Sequence, residues 1–99
     1  MRIQIILEPD VSTDQLTELG LLAEKYGIHG LWVQNYATAA DPFMSLVPLA
    51  RASRTIQLGV VIVSPFEEHP LKIATSLLTL NEFSRGRAAV VIGRGGEWL

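Results

Sequence analysis

Four short apolar runs, each followed by a stretch with helical spacing, divide the chain into repeating units. The runs are Arg2 to Leu7, Gly30 to Gln34 around Leu31-Trp32-Val33, Ile56 to Val63, and Ala88 to Ile92. They are rich in β-branched residues and continuously apolar, the pattern of strands buried on both faces rather than of half-exposed ones. Between the first two, Ser12 and Gln15 have the spacing of a capping box, and Leu16, Leu19, Ala23 and Tyr26, with Leu22 beside them, repeat as on a helix that Gly27 ends. Asp41-Pro42 starts a second helix with an acidic cap and a first-turn proline; Pro48 inside it predicts a kink or an early break. A third helix begins at His69-Pro70, with His69 as its cap. Ile73, Ala74, Leu77, Leu78 and Asn81 are read as one face, and Gly86 as the left-handed stop. Strand, helix and strand connected in this way are parallel, so the order β-α-β-α-β-α-β predicts an α/β domain with a parallel sheet over residues 1–99.

Composition narrows the function classes. The 99 residues suffice for one small domain. Nearly half of them are hydrophobic, which excludes a disordered chain. A formal net charge of −2 gives no electrostatic reason to expect nucleic acid as a partner. Without cysteine there is neither a disulfide nor a thiolate metal site, and the two histidines form no metal set or hydrolytic triad. No apolar run is long enough to span a membrane, and a cytoplasmic location is the expectation.

Ligands of parallel α/β sheets collect at the carboxyl ends of the strands, where loops and helix N-termini converge. Here those ends carry Glu8, then Gln34-Asn35-Tyr36, then Val61 to Ser64, then Gly93 to Gly96. A carboxylate, an amide, a phenol and open backbone suit a planar cofactor and its phosphate. Each also has a plain structural reading: Glu8 as a helix cap or solvated charge, Asn35 and Tyr36 as loop residues, the glycines as a turn. Gly93-Arg94-Gly95 is only the beginning of a dinucleotide fingerprint. His69 reads as a cap, His29 as structural, and Arg51, Arg54, Arg85, Arg87 and Arg94 as a solvated rim.

M-R-I-Q-I-I-L-E-P, G-I-H-G-L-W-V-Q-N-Y and D-P-F-M-S-L-V-P-L-A-R-A-S-R-T-I-Q-L-G-V resemble the amino-terminal part of the bacterial-luciferase-like oxidoreductases. The most specific segment is H-P-L-K-I-A-T-S-L-L-T-L-N-E-F-S-R-G-R-A-A-V-V-I-G-R-G-G, against a family pattern of an H-P helix start, a T-L-D-x-L-S-x-G-R turn and a strand ending in G-x-G. The resemblance implies a (β/α)₄ half of a TIM (β/α)₈ barrel, reaching its fourth strand. It implies a cofactor, flavin mononucleotide (FMN) or the deazaflavin coenzyme F420, and hydride transfer or monooxygenation. It places Asn35 and Tyr36 at the ring, Val61 and Ile62 behind it with a cis peptide between them, Ser64, Gly93 and Gly95 near the cofactor, and Glu8 toward substrate. Where reductase-type relatives carry an Asp-His pair after the second strand, this chain has Asn35-Tyr36, so no catalytic residue is assigned. A half barrel would leave its inner sheet face bare, which predicts a homodimer or a complementary half barrel as partner. The alternatives are a non-catalytic scaffold and a small flavodoxin-like nucleotide-binding module with helices on both sheet faces.

Overall fold

The computed structural model describes residues 1–8, 10–36 and 38–94. The elements are β1 (Gln4–Leu7), α1 (Thr13–Lys25), β2 (Gly30–Gln34), α2 (Pro42–Ser45), α3 (Val47–Ala52), β3 (Gln57–Val63), α4 (Pro70–Ser84) and β4 (Ala88–Ile92). The strands form one parallel sheet in the order β1-β2-β3-β4. Right-handed crossovers that advance steadily in one direction put every helix on the same side, and α1, α3 and α4 indeed pack in succession against one another. The flavodoxin-like alternative, which needs helices on both faces and a reversal of strand order, is thereby corrected. This is four strands' worth of a barrel.

Local chemistry sets the ends of the elements. The Ser12 hydroxyl accepts from the Gln15 N–H while Gln15 Oε1 accepts from the Ser12 N–H, closing the capping box of α1. An Asp41 carboxylate oxygen accepts from the Met44 N–H at 2.7 Å and starts α2. Pro48 has no N–H for the Met44 carbonyl, and the helix breaks at Leu46 into α2 and α3. His69 Nδ1 accepts from the Leu71 N–H at 3.1 Å and caps α4. Helix α4 leaves through two successive left-handed residues, Arg85 (φ 59°) and Gly86 (φ 90°). Only the second suits its residue type. An arginine there costs about 1 kcal/mol against the right-handed region. Arg85→Gly is therefore expected to leave stability unchanged or raise it by up to about 1 kcal/mol in a urea titration, the gain trimmed by glycine's unfolded-state entropy.

The core lies between sheet and helices. Leu31 and Val33 of β2, Leu58 and Val60 of β3, Leu16 of α1, Leu46 between α2 and α3, Leu49 of α3, and Ile73 and Leu80 of α4 are all buried. Two faces differ from the sequence expectation. On α1 the buried seam is Leu16, Gly20 and Ala23, whereas Leu19, Leu22 and Tyr26 are exposed. The reason is Gly20: a Cβ there would lie 2.2 Å from Leu49 Cδ2, so the missing side chain admits α3 and turns α1 toward it. On α4 the inward face is Ile73, Leu77, Leu80 and Ser84, while Ala74 and Leu78 face outward. Arg87 is no rim residue either. Its guanidinium bonds to Ala50, Ser53, Ile56 and Ser84, tying α3, β3 and α4 together at the amino ends of the strands.

The opposite sheet face has no helix on it. Register pairs Ile6 with Trp32, Trp32 with Gly59 and Gly59 with Ala89, and, a pleat further along, Gln34 with Val61 and Val61 with Val91. Trp32 lies over Gly59, where a Cβ would come within 2.2 Å of its ring, and its indole N–H donates to Gln4 Oε1. Further along, Ile6 is 58% exposed and Val91 41%. Apolar side chains exposed on both edge strands of one uncovered sheet face mark a face built for burial.

Candidate functional site

The carboxyl ends of the strands converge on one rim. Leu7 pairs with Val33, so Glu8 follows β1 beside Gln34, and Gln34 pairs with Val61, which pairs with Val91. Glu8 is exposed there. β3 carries one extra residue at this point: Val61 pairs with Val91 but Val63 pairs with Ile92, leaving Ile62 out of the ladder. The insertion resets the alternation. Val63 returns to the helix-covered face, fully buried, while Ile62 is left 44% exposed at the rim. The Val61-Ile62 peptide is cis, as the family resemblance implied.

Neighbouring residues clasp this bulge. The Asn35 N–H donates to the Val61 carbonyl at 2.9 Å, and Asn35 Nδ2 donates to the Ile62 carbonyl at 3.3 Å. On the other side the Gly93 N–H donates to the Val63 carbonyl at 3.0 Å. A Cβ on Gly93 would stand 2.9 Å from Ile62 Cγ2, so glycine leaves the room that Ile62 occupies. The Tyr36 phenol donates to Gln34 Oε1, which holds the half-exposed ring against the end of β2. Its oxygen keeps lone pairs for a ligand, and the Gln34 amide nitrogen keeps its donors.

Ser64 has a different place from the one expected of a cofactor contact. Its hydroxyl is buried, donates to the Arg94 carbonyl at 3.0 Å and accepts from the Phe66 N–H at 3.1 Å. Ser64 therefore pins the exit of β3 to the exit of β4. Gly95, also expected near the cofactor, lies outside the described residues. Gln34, which orients Tyr36, was visible only as a strand-end residue; its role depends on the tertiary approach of the phenol. His69 caps α4 and His29 serves through its backbone, its N–H donating to Ile3 and its carbonyl accepting from Gln57. Among the described residues no three His, Asp or Glu side chains gather as a metal set. No helix among them is long and apolar enough to cross a membrane.

The architecture has clear counterparts. The family model for luciferase-like monooxygenases matches residues 1–99. The chain belongs to the luciferase-like monooxygenase family. A 5,10-methylenetetrahydromethanopterin reductase of Archaeoglobus fulgidus is 33% identical over 98% of this chain and 29% of its own length. The oxygenase component of a flavin-dependent trigonelline monooxygenase of Acinetobacter baylyi is 32% identical over 83% of this chain and 24% of its own. Among solved structures, the coenzyme F420-dependent tetrahydromethanopterin reductase of Methanopyrus kandleri superposes with a TM-score of 0.93 at 29% identity, over 98% of this chain and 28% of that one. The chain thus spans under a third of the length of these luciferase-like relatives, while holding four parallel strands of their barrel.

Proposed function

We propose that this chain is the amino-terminal half-barrel unit of an oxidoreductase that uses FMN or coenzyme F420 for hydride transfer or monooxygenation. The observation that carries the reading is the clasped β3 bulge: an apolar side chain, Ile62, offered at the carboxyl rim and flanked by Asn35, Tyr36 and the bare backbone of Gly93. Apolar surface with a few convergent polar groups at a strand-end rim is what a planar cofactor requires. Of the relatives, the reductase is F420-dependent and the monooxygenase flavin-dependent, which supports the cofactor class without choosing within it.

In this reading Val61 and Ile62 back the ring. Asn35 and Tyr36, the latter held by Gln34, meet its polar edge, and Glu8 faces substrate from β1. Gly93, with Gly95 beyond it, lets the β4 backbone approach. Ser64 supports the rim from beneath. The cofactor would supply the redox chemistry; the residues here bind and orient it. The bare inner face, including Ile6 and Val91, is covered by four further parallel strands, from a longer polypeptide or from a second copy related by a two-fold along the barrel axis.

Titration with FMN and F420 side by side, read by fluorescence, tests the reading. One of the two should bind, and Gly93→Val should weaken it at least tenfold, because the added methyl groups displace Ile62 from beneath the ring. Light scattering on the same sample reports whether a second copy completes the barrel. Binding of neither cofactor, by the chain or by its completed barrel, would leave a non-catalytic scaffold.

A further inference from the structure

At the amino ends of β3 and β4, on the side of the sheet opposite the rim, α3 and α4 flank a cleft of 630 Å³. Arg51, Arg54, Arg85 and Arg87 line it together with Glu82 and Phe83. Four of the eight cationic residues in a chain of net charge −2 meet in this one place. Arginines near helix C-termini ordinarily serve the exposed carbonyls and the negative end of the dipole. Here that task is already done. Arg87 takes the Ala50 and Ser53 carbonyls of α3 and the Ser84 carbonyl of α4, while the Arg85 and Gly86 N–H groups take Glu82 and Asn81. Glu24, behind the cleft, is occupied by the N–H groups of Arg54, Thr55 and Ile56, which leaves Glu82 as the one carboxylate among the lining residues, against four arginines.

The guanidinia of Arg51, Arg54 and Arg85 make no hydrogen bond among the described residues, and all three residues are exposed. Arg85 is, in addition, held in the left-handed conformation that a glycine or asparagine would adopt more easily. Three unengaged planar forks around a cleft of small-molecule size match the oxygens of a phosphate chain. Phe83, 38% exposed on the same wall, offers a face for a ring.

We propose that this cleft binds a nucleoside di- or triphosphate, its phosphates on Arg51, Arg54 and Arg85 and its base against Phe83. The site is independent of the cofactor rim, from which the sheet separates it. Isothermal titration at about 50 mM salt, with pyrophosphate, ADP and adenosine as probes, tests it. Pyrophosphate and ADP should bind, ADP several-fold tighter, and adenosine should not. The double variant Arg51→Gln/Arg85→Gln should lose at least tenfold for both anions, with Phe83→Ala removing only the advantage of ADP. Lys25→Gln, which changes the net charge at the end of α1, and Gly93→Val at the rim should leave pyrophosphate binding unchanged. Absence of binding, an unaffected double variant, or an equal loss in Lys25→Gln would overturn the site. Equal affinity for ADP and pyrophosphate would overturn the nucleoside part. A matching urea midpoint for the double variant separates lost binding from lost folding.

Discussion

Arg87→Leu is expected to destabilise the fold by about 3 kcal/mol, among the largest single-residue losses available outside the apolar core. All five guanidinium N–H donors are used. Nε donates to the Ser84 carbonyl at 2.7 Å, Nη1 to Ser53 Oγ and to the Ile56 carbonyl at 2.8 Å each, and Nη2 to the Ala50 and Ser53 carbonyls at 3.0 and 3.1 Å. A leucine fills part of the volume but leaves four carbonyls and a buried serine hydroxyl without this donor. Each charge-assisted bond contributes about 1.5–3 kcal/mol by itself, and water entering a partly buried site recovers much of the sum. The urea midpoint should fall with the slope unchanged. Lysine in place of Arg87 should recover less than half, because an ammonium cannot span acceptors on three elements. Arg51→Leu, whose guanidinium bonds to nothing among the described residues, should change the stability by no more than about 0.5 kcal/mol. A loss below 1 kcal/mol for Arg87→Leu would mean that solvent replaces the guanidinium in full.

Acid should destabilise the fold through Glu24. Partial burial pushes its carboxyl pKa up, but the N–H groups of Thr55, Arg54 and Ile56 and the Thr55 hydroxyl outweigh it together and bring the folded-state value below the ordinary one. Oε2 alone receives all four, at 2.8 to 3.3 Å. A carboxyl with a depressed folded pKa stabilises the protein in full above its unfolded value, about 4.3. That contribution disappears as pH falls from there through the folded value. Glu24→Gln should cost about 2 kcal/mol at pH 7 and progressively less below pH 4, so the wild-type and variant stability curves converge in acid. Parallel curves down to pH 2 would show that the charge is irrelevant. Burial lowers the Arg87 pKa, with Glu24 opposing and Arg85 adding to the effect, yet a guanidinium stays protonated throughout this range. The two residues grip one connector from either side: Glu24 holds its N–H groups and Arg87 its carbonyls. The double variant is therefore expected to lose less than the sum of the two.

Neither residue announced this role in the sequence, and the contrast with the helix starts is instructive. Ser12 with Gln15, Asp41 with Pro42, and His69 with Pro70 act within three residues of themselves, so spacing alone located α1, α2 and α4. Pro48 split its helix for an equally local reason, a missing N–H. Glu24 and Arg87 reach partners 30 or more positions away, and nothing in their neighbours encodes that reach. Ser64 is the same case at the rim. Its position at the end of β3 suggested a ligand contact, but the approach of Arg94 engages the hydroxyl.

The sequence by itself determined the kinds of element, their order and their parallel direction. β2 and β4 were legible to the residue, and the carboxyl rim followed from where the strands end. These depend on periodicity, caps and crossover handedness, which act over a few residues or on any chain of this connectivity. The tertiary structure decided which side of each helix turned inward: Gly20 against Leu49 on α1, and Leu80 and Ser84 in place of Ala74 and Leu78 on α4. It also decided that Ile62 leaves the ladder for the rim while Val63 is buried, and that Asn35 and Gly93 meet on either side of it. An apolar run marks both faces of a strand as built for burial, whether or not something covers each of them. Which of its residues meets which neighbour depends on the register of the strands beside it, and that exists only once the sheet has formed.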